Sequence, residues 1–293
     1  MIYARIVYSG KVDNHSGLEK KSVMGLVMTV YPKIYVFKVG SIPGSFIDLI
    51  SATLNGFYRS LKFLSLPEFV EVYVYGTSYE KMVFLEAEAR DMGVIVIGDF
   101  ITVHEAWRGW PRIHVDYEKC HSLEPGYVKA LLLHEAAHSV LHGSPLYYLV
   151  DIDQQLIDSL GFEYAAKTIY LASTVVKDLD VHRFLVEHGY RSYVEKYLEF
   201  LVNTQLKDIE CSDILGTLQL MKILTPCIFL ENKCIDIERN LHEDCRSLVR
   251  EIIKTLEQFI EIYPHADLSQ RTVILAKKII EVARKYGSVF SKT

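Results

Sequence analysis

The first part of the chain alternates β-type stretches with helical spacing. Residues 34–39 and Phe69–Tyr75 are rich in β-branched and aromatic residues, as strands are. Between them, apolar residues recur every three or four positions over residues 47–64, which predicts a helix. The alternation predicts an α/β layer over residues 1–120. Its other predicted elements are strands at residues 23–29, 94–97 and Arg112–Asp116, a helix at residues 79–92 and a loop at residues 107–111.

Strand-like stretches fade from Pro125 onward, and helical spacing dominates to the C-terminus. We predict about six or seven helices there. Pro125 suits the first turn of a helix that runs over residues 124–142. A second buried helix is predicted over residues 164–187. Amphipathic stripes over residues 245–262 and 269–286 predict helices that pack against the rest of the protein.

These patterns predict an α+β fold with an N-terminal layer that contains a twisted mixed sheet and a mainly helical C-terminal part. The chain has 293 residues, of which 50% are hydrophobic, and this suits one large domain or two modest ones. We assign residues 1–190 to one region and residues 191–293 to a helical region. A core of this size is stable without a metal. We therefore expect any bound metal to have a functional role and not a structural one.

Composition narrows the classes of partner. With 32 Lys+Arg against 37 Asp+Glu, the chain lacks the basic excess of a nucleic-acid binder, so we expect no nucleic-acid partner. No apolar run is long enough to span a bilayer, and the N-terminus lacks a signal-peptide pattern. We therefore expect no membrane partner and a cytoplasmic location. The 5 cysteines form no CxxC pair and are expected to be mainly free buried thiols. The small number of Asn and Gln residues favours a thermophilic source.

One motif stands out, in the sequence Leu-Leu-Leu-His-Glu-Ala-Ala-His-Ser-Val-Leu-His-Gly over residues 131–143. His134 and His138 are four residues apart, so on a helix they share a face and can bind one Zn²⁺. Glu135 follows the first histidine and can act as a general base on a zinc-bound water. This composition predicts only about 0.03 such HExxH motifs by chance. We therefore predict a zinc site with Glu135 as the catalytic residue.

The motif resembles that of the zincin metallopeptidases. The resemblance implies a twisted sheet whose edge strand binds an extended peptide above the metal helix, and Arg112–Asp116 could supply that edge. The metzincin branch is excluded, because it has Gly and His where this chain has Leu141 and Ser144. The run from His138 to His142 is also similar to that of the regulatory ImmA/IrrE-type peptidases.

A zincin needs a third protein ligand on a later helix, and residues 172–185 are the best candidates. Their apolar pattern predicts a buried helix, in which a carboxylate needs a partner. Asp180 continues the edge of the apolar face and is our first choice. Asp178 is the second choice and would share a face with His182, as in gluzincins, although an Asp ligand is closer to an aspzincin site. The charges could instead form a solvated face. Weaker alternatives are Asp151, Asp153, Glu163 and Glu187.

Other polar residues carry weaker signals. His142 lies one turn beyond His138 and either supports the site or simply ends the helix. Tyr190 and Tyr193 could donate to an oxyanion, but packing in the core is the preferred interpretation. Metal-ligand spacing is absent from the earlier histidines His104, His114 and His121.

Two functions are consistent with these observations. The first is an intracellular zinc-dependent peptidase, in which Glu135 takes a proton from a zinc-bound water that attacks a peptide carbonyl. Its partner would be a peptide or protein substrate. The alternative is a zincin-like binding or regulatory protein that keeps the metal but turns over little substrate. The helical region 191–293 could also bind a protein partner.

Overall fold

The computed structural model describes residues 31–62, 64–93, 100–206, 214–241, 243–264 and 266–286. Four strands form one mixed sheet, and helices make up most of the remaining described residues. The strands are β1 (Lys33–Val39), β2 (Phe69–Tyr75), β3 (Thr102–Glu105) and β4 (Arg112–Asp116). The helices are α1 (Gly44–Ser60), α2 (Ser78–Met92), α3 (Tyr117–Cys120), α4 (Pro125–Leu141), α5 (Gln154–Leu160), α6 (Phe162–Glu187), α7 (Arg191–Thr204), α8 (Ile214–Leu224), α9 (Lys233–Asn240), α10 (Glu243–Ile262) and α11 (Leu268–Tyr286).

The order of strands in the sheet is β1-β2-β4-β3. The first three run parallel, and β3 pairs antiparallel with β4, with His104 opposite Ile113. The expectation that Arg112–Asp116 forms a peptide-binding edge is wrong, because β4 lies between β2 and β3 and all its residues are buried. Among the described strands, β3 lies at the edge of the sheet, beside β4.

Alternation along the strands separates two faces of the sheet. Val72 and Val74 of β2 belong to the same hydrophobic core as α1 and α4. Tyr73 and Tyr75 point the other way and pack against Phe84 of α2, with ring centroids 5.0 and 5.6 Å apart. The helix that carries the HExxH motif therefore lies on the opposite face of the sheet from α2.

Most of the predicted elements are confirmed within a few residues. These are the strands β1, β2 and β4 and the helices α1, α2, α4, α6, α10 and α11. The strands predicted at residues 23–29 and 94–97 lie outside the described residues. From residue 125 onward the described residues form eight α-helices, slightly more than expected. None of the helices described is long and apolar enough to cross a membrane.

One continuous hydrophobic core extends from Ile42 to Ala283. Its centre is α6, which contacts α4, α8 and α11. Ala136 and Ala137 of α4 are fully buried, and their small side chains let neighbouring elements approach closely. The C-terminal helices thus pack directly on α4 and α6. The domain boundary at residue 190 stays a prediction.

The cysteines depart from the expectation of free thiols. Cys227 and Cys234 form a disulfide, whereas Cys120 is a free buried thiol. A short 3₁₀ turn at Pro226–Phe229 and the start of α9 bring the two disulfide partners together. Disulfides persist inside cells mainly in hyperthermophiles. A thermophilic source and a cytoplasmic location are compatible with this bond and remain predictions.

Candidate metal centre

The HExxH motif lies on α4, a helix that is buried through most of its second half. Pro125 occupies its first turn, where a missing N–H costs nothing. Beyond its end, a β-carbon at Gly143 would lie 2.5 Å from the carbonyl oxygen of Ser139, so this position requires glycine. Ser139 also bonds through its hydroxyl to the hydroxyl of Tyr58 on α1, at 2.6 Å. These contacts fix the helix, and hence the motif, against the core.

Two histidines of α4 and one aspartate of α6 converge at a single point. The Nε2 atoms of His134 and His138 lie 3.1 Å apart. Asp178 Oδ1 lies 3.2 Å from the Nε2 of His138 and 3.5 Å from the Nε2 of His134. All three residues are more than 90% buried. Among the described residues they form a group whose ligand atoms could hold a metal ion.

This arrangement fits zinc. Tetrahedral Zn²⁺ with bonds of about 2.0–2.1 Å requires ligand atoms roughly 3.3–3.4 Å apart. The three separations between ligand atoms, 3.1, 3.2 and 3.5 Å, bracket that value. Two imidazoles and a carboxylate are also the donor types that zinc takes. Three protein ligands match the count of catalytic zinc sites, which leave a fourth position for water or substrate.

The structure places Asp178, and not Asp180, with the histidines. The two residues are two positions apart on α6, so their side chains point about 200° apart around the helix. Asp180 faces α11, where Arg271 donates to both of its carboxylate oxygens at 2.8 and 2.9 Å. The geometry therefore favours Asp178, the second choice from the sequence, over Asp180 as the third ligand. The apolar pattern could not distinguish a buried carboxylate that faces histidines from one that faces an arginine.

The two carboxylates of the site have opposite electrostatic environments. Burial raises the pKa of Glu135, although His134 and a hydrogen bond from the Thr102 hydroxyl (2.9 Å) oppose the shift. Burial also acts to raise the pKa of Asp178, but the charge of Lys222 and its contacts with the histidines outweigh burial and hold that pKa well below its usual value. Such a difference is typical of sites where one carboxyl carries protons and another stays ionised.

Strand β3 contributes two side chains that sequence analysis missed. Alternation turns Thr102 and His104 towards α4. Thr102 donates to Glu135, and the ring of His104 stacks on that of His138 with centroids 5.9 Å apart. The His104 Nδ1 atom is 3.1 Å from the hydroxyl of Tyr148. In the sequence, the only signal for this strand is that Thr102 and His104 flank the apolar Val103. Four residues are too few to predict a strand.

The tyrosines at the site are also not those considered from the sequence. Tyr197 of α7 stacks on His134, with centroids 4.3 Å apart and planes 10° from parallel. Tyr190 instead bonds the hydroxyl of Ser60 at 2.6 Å. It also packs against Phe57, in agreement with the preferred interpretation of core packing.

A cavity of about 840 Å³ opens at the three converging side chains. Its wall includes Glu135 and His104, and Lys177 also faces it. Burial lowers the pKa of Lys177 to about 8. The volume lies in the range of ligand-binding pockets.

Comparison with known protein families, curated proteins and solved structures finds no match for this chain. The likeness to zincins therefore rests on residues 131–143 and on the geometry around them. The fold and the site define a mixed α/β protein with a buried candidate metal centre at the wall of a cavity.

Proposed function

We propose that this protein is a zinc-dependent peptidase whose metal is held by His134, His138 and Asp178. The observation that carries the proposal is the convergence of two imidazole nitrogens and one carboxylate oxygen within 3.5 Å of one another at the wall of a large cavity. Glu135 lies in the same wall. This combination of ligands, acid–base residue and space is what metal-assisted hydrolysis requires.

Zinc bound at this site would supply a Lewis acid that polarises the scissile carbonyl and makes a water more acidic. Glu135 then accepts the proton of the attacking water and passes it to the leaving amine. The carboxyl must hold the proton between the two steps. The Thr102 hydroxyl donates to one carboxylate oxygen of Glu135, which orients the carboxylate for the transfer.

The proposed substrate is an extended peptide. In the described part of the sheet β3 is an edge strand, and a peptide can add to such an edge by backbone hydrogen bonds. Thr102 begins this strand and touches Glu135, so a peptide along β3 would pass close to the acid–base residue. The cavity provides room for the side chains of the bound segment.

The decisive experiment combines metal analysis with a Glu135→Gln variant. We expect purified protein to contain one zinc per chain and to cleave members of a peptide library. Glu135→Gln should keep the zinc and lose cleavage, because the amide cannot accept the proton. The matched control is Glu163→Gln on α6, whose side chain is 85% exposed, and which should change neither property.

Two results would contradict the proposal. One is cleavage that survives in Glu135→Gln, since the mechanism has no other base at that position. The other is a wild-type protein that binds no zinc. A wild type that binds zinc but cleaves no member of the library would favour the alternative of a zincin-like binding or regulatory protein.

A further inference from the structure

A chain of polar contacts leads from His138 to the C-terminal helix. The Nδ1 atoms of His138 and His142 lie 3.0 Å apart. The Nε2 of His142 faces Asp180 Oδ2 at 3.9 Å. Arg271 of α11 donates to both oxygens of Asp180, at 2.8 and 2.9 Å. Four side chains, on α4, on the residue that follows it, on α6 and on α11, thus lie in series.

The positions of the protons follow from the role proposed for His138. If its Nε2 binds the metal, its Nδ1 carries the hydrogen and must donate. The Nδ1 of His142 is the acceptor, so the hydrogen of His142 sits on its Nε2, which faces the Asp180 carboxylate. Arg271 holds that carboxylate with two parallel bonds, a geometry that fixes its orientation. The hydrogen of His138 thus meets an acceptor on His142 at 3.0 Å. The hydrogen of His142 faces Asp180 across 3.9 Å, a charge contact that is longer than a hydrogen bond.

Two members of the series are buried, whereas the side chain of Asp180 is 26% exposed. His142 is 3% exposed and Arg271 is 5% exposed. The Arg271 guanidinium also lies 5.7 Å from the centre of the Phe259 ring of α10. Burying these polar groups is costly unless they are paired. The contacts of the series supply that pairing except at the Nε of Arg271, which is buried without a hydrogen-bond partner. We infer that His142, Asp180 and Arg271 are positioning residues that fix the ring of His138 and make α11 part of the metal centre; this inference rests on the proposed zinc site.

The other histidine ligand is oriented in a different way. Its Nδ1 has no hydrogen-bond partner among the described residues, and its ring is held by stacking on Tyr197. The series acts on His138 alone. Breaking it should therefore weaken metal binding without abolishing it.

The test measures zinc affinity by competition with a chromogenic chelator in His142→Phe, Asp180→Asn and the double variant. Both single changes keep side-chain size close to the original. Each should raise the Kd for zinc about 10–100-fold, the usual loss when the partner of a ligating histidine is removed. Because the residues act in series, the double variant should lose no more than the worse single variant. Lys277→Met on α11 removes a separate ion pair, to Asp153, and is the matched control with unchanged Kd.

A second readout separates positioning from general packing. In zinc-loaded wild type, ¹⁵N spectra should show the hydrogen of His142 on Nε2, because its Nδ1 accepts from His138. A hydrogen on Nδ1 of His142 would overturn the inference. An unchanged Kd in Asp180→Asn, or a double variant whose loss equals the sum of the single losses, would overturn the inference while leaving the zinc site intact. A wild type that binds no zinc would instead overturn the proposed function itself. Melting of the metal-free proteins verifies that each variant is folded, and Asp180→Asn decides alone if His142→Phe does not fold.

Discussion

The two aspartates of α6 allow a direct comparison between a ligand and a residue that acts through one. Asp178 Oδ1 lies 3.2 and 3.5 Å from the two Nε2 atoms of the histidines. Asp180 reaches the site only through His142, across 3.9 Å. The same substitution, Asp to Asn, can be made at both positions. We expect Asp178→Asn to weaken zinc binding far more than Asp180→Asn.

The expected loss of zinc affinity depends on whether the residue binds the metal itself or contacts a residue that does. Loss of an outer partner costs about 10–100-fold in metal affinity, or roughly 1.4–2.8 kcal/mol of binding free energy. Removing a charged ligand should exceed the upper end of that range. At a zinc concentration 100 times the wild-type Kd, wild type gains about 2.7 kcal/mol of stability from the metal. A variant whose Kd has risen more than 100-fold gains less than about 0.4 kcal/mol at the same concentration.

Two assays measure this difference independently. Chelator competition gives the Kd values, and thermal melting with and without zinc gives the stabilisation. Asp178→Asn should show almost no shift of its melting temperature with zinc, whereas Asp180→Asn should keep a measurable one. The reverse order of the two variants would refute the assignment of the third ligand and restore the choice made from the sequence.

Three further predictions concern neighbouring features. Thr102→Val should lower kcat about 10–100-fold with zinc content unchanged, since Glu135 loses a hydrogen bond to a charged group; equal kcat in steady-state assays would exclude this role. Cys227→Ser should reduce the free energy of unfolding by about 2.4 kcal/mol, from the loop entropy of a seven-residue separation, as measured by urea denaturation. Burial lowers the pKa of His114 despite its contact with a glutamate, so the unfolded chain binds the proton first and stability falls as pH drops below about 6.5. In metal-free urea titrations His114→Gln should flatten this slope by up to about 1.4 kcal/mol per pH unit, whereas the exposed His121→Gln should not.

The sequence alone determined the local elements and the first half of the site. A run of β-branched and aromatic residues placed β2, and apolar spacing of three or four residues placed α1, each within a few residues, because both signals depend on residues that are close together in the chain. The HExxH spacing placed His134 and His138 on one face of a helix, since four residues are close to one turn. These features depend on neighbours in the chain, and the sequence records them directly.

Tertiary structure decided the rest of the site. Asp178 and Asp180 lie in similar apolar surroundings along the chain, and only the packing of α6 against α4 and α11 directs one to the histidines and the other to Arg271. The short strand β3 became a strand by pairing with β4, which brought Thr102 to Glu135. Such contacts join residues far apart in sequence, and their choice depends on the relative orientation of whole elements. The periodicity of apolar residues along one element does not predict how that element is oriented relative to the others.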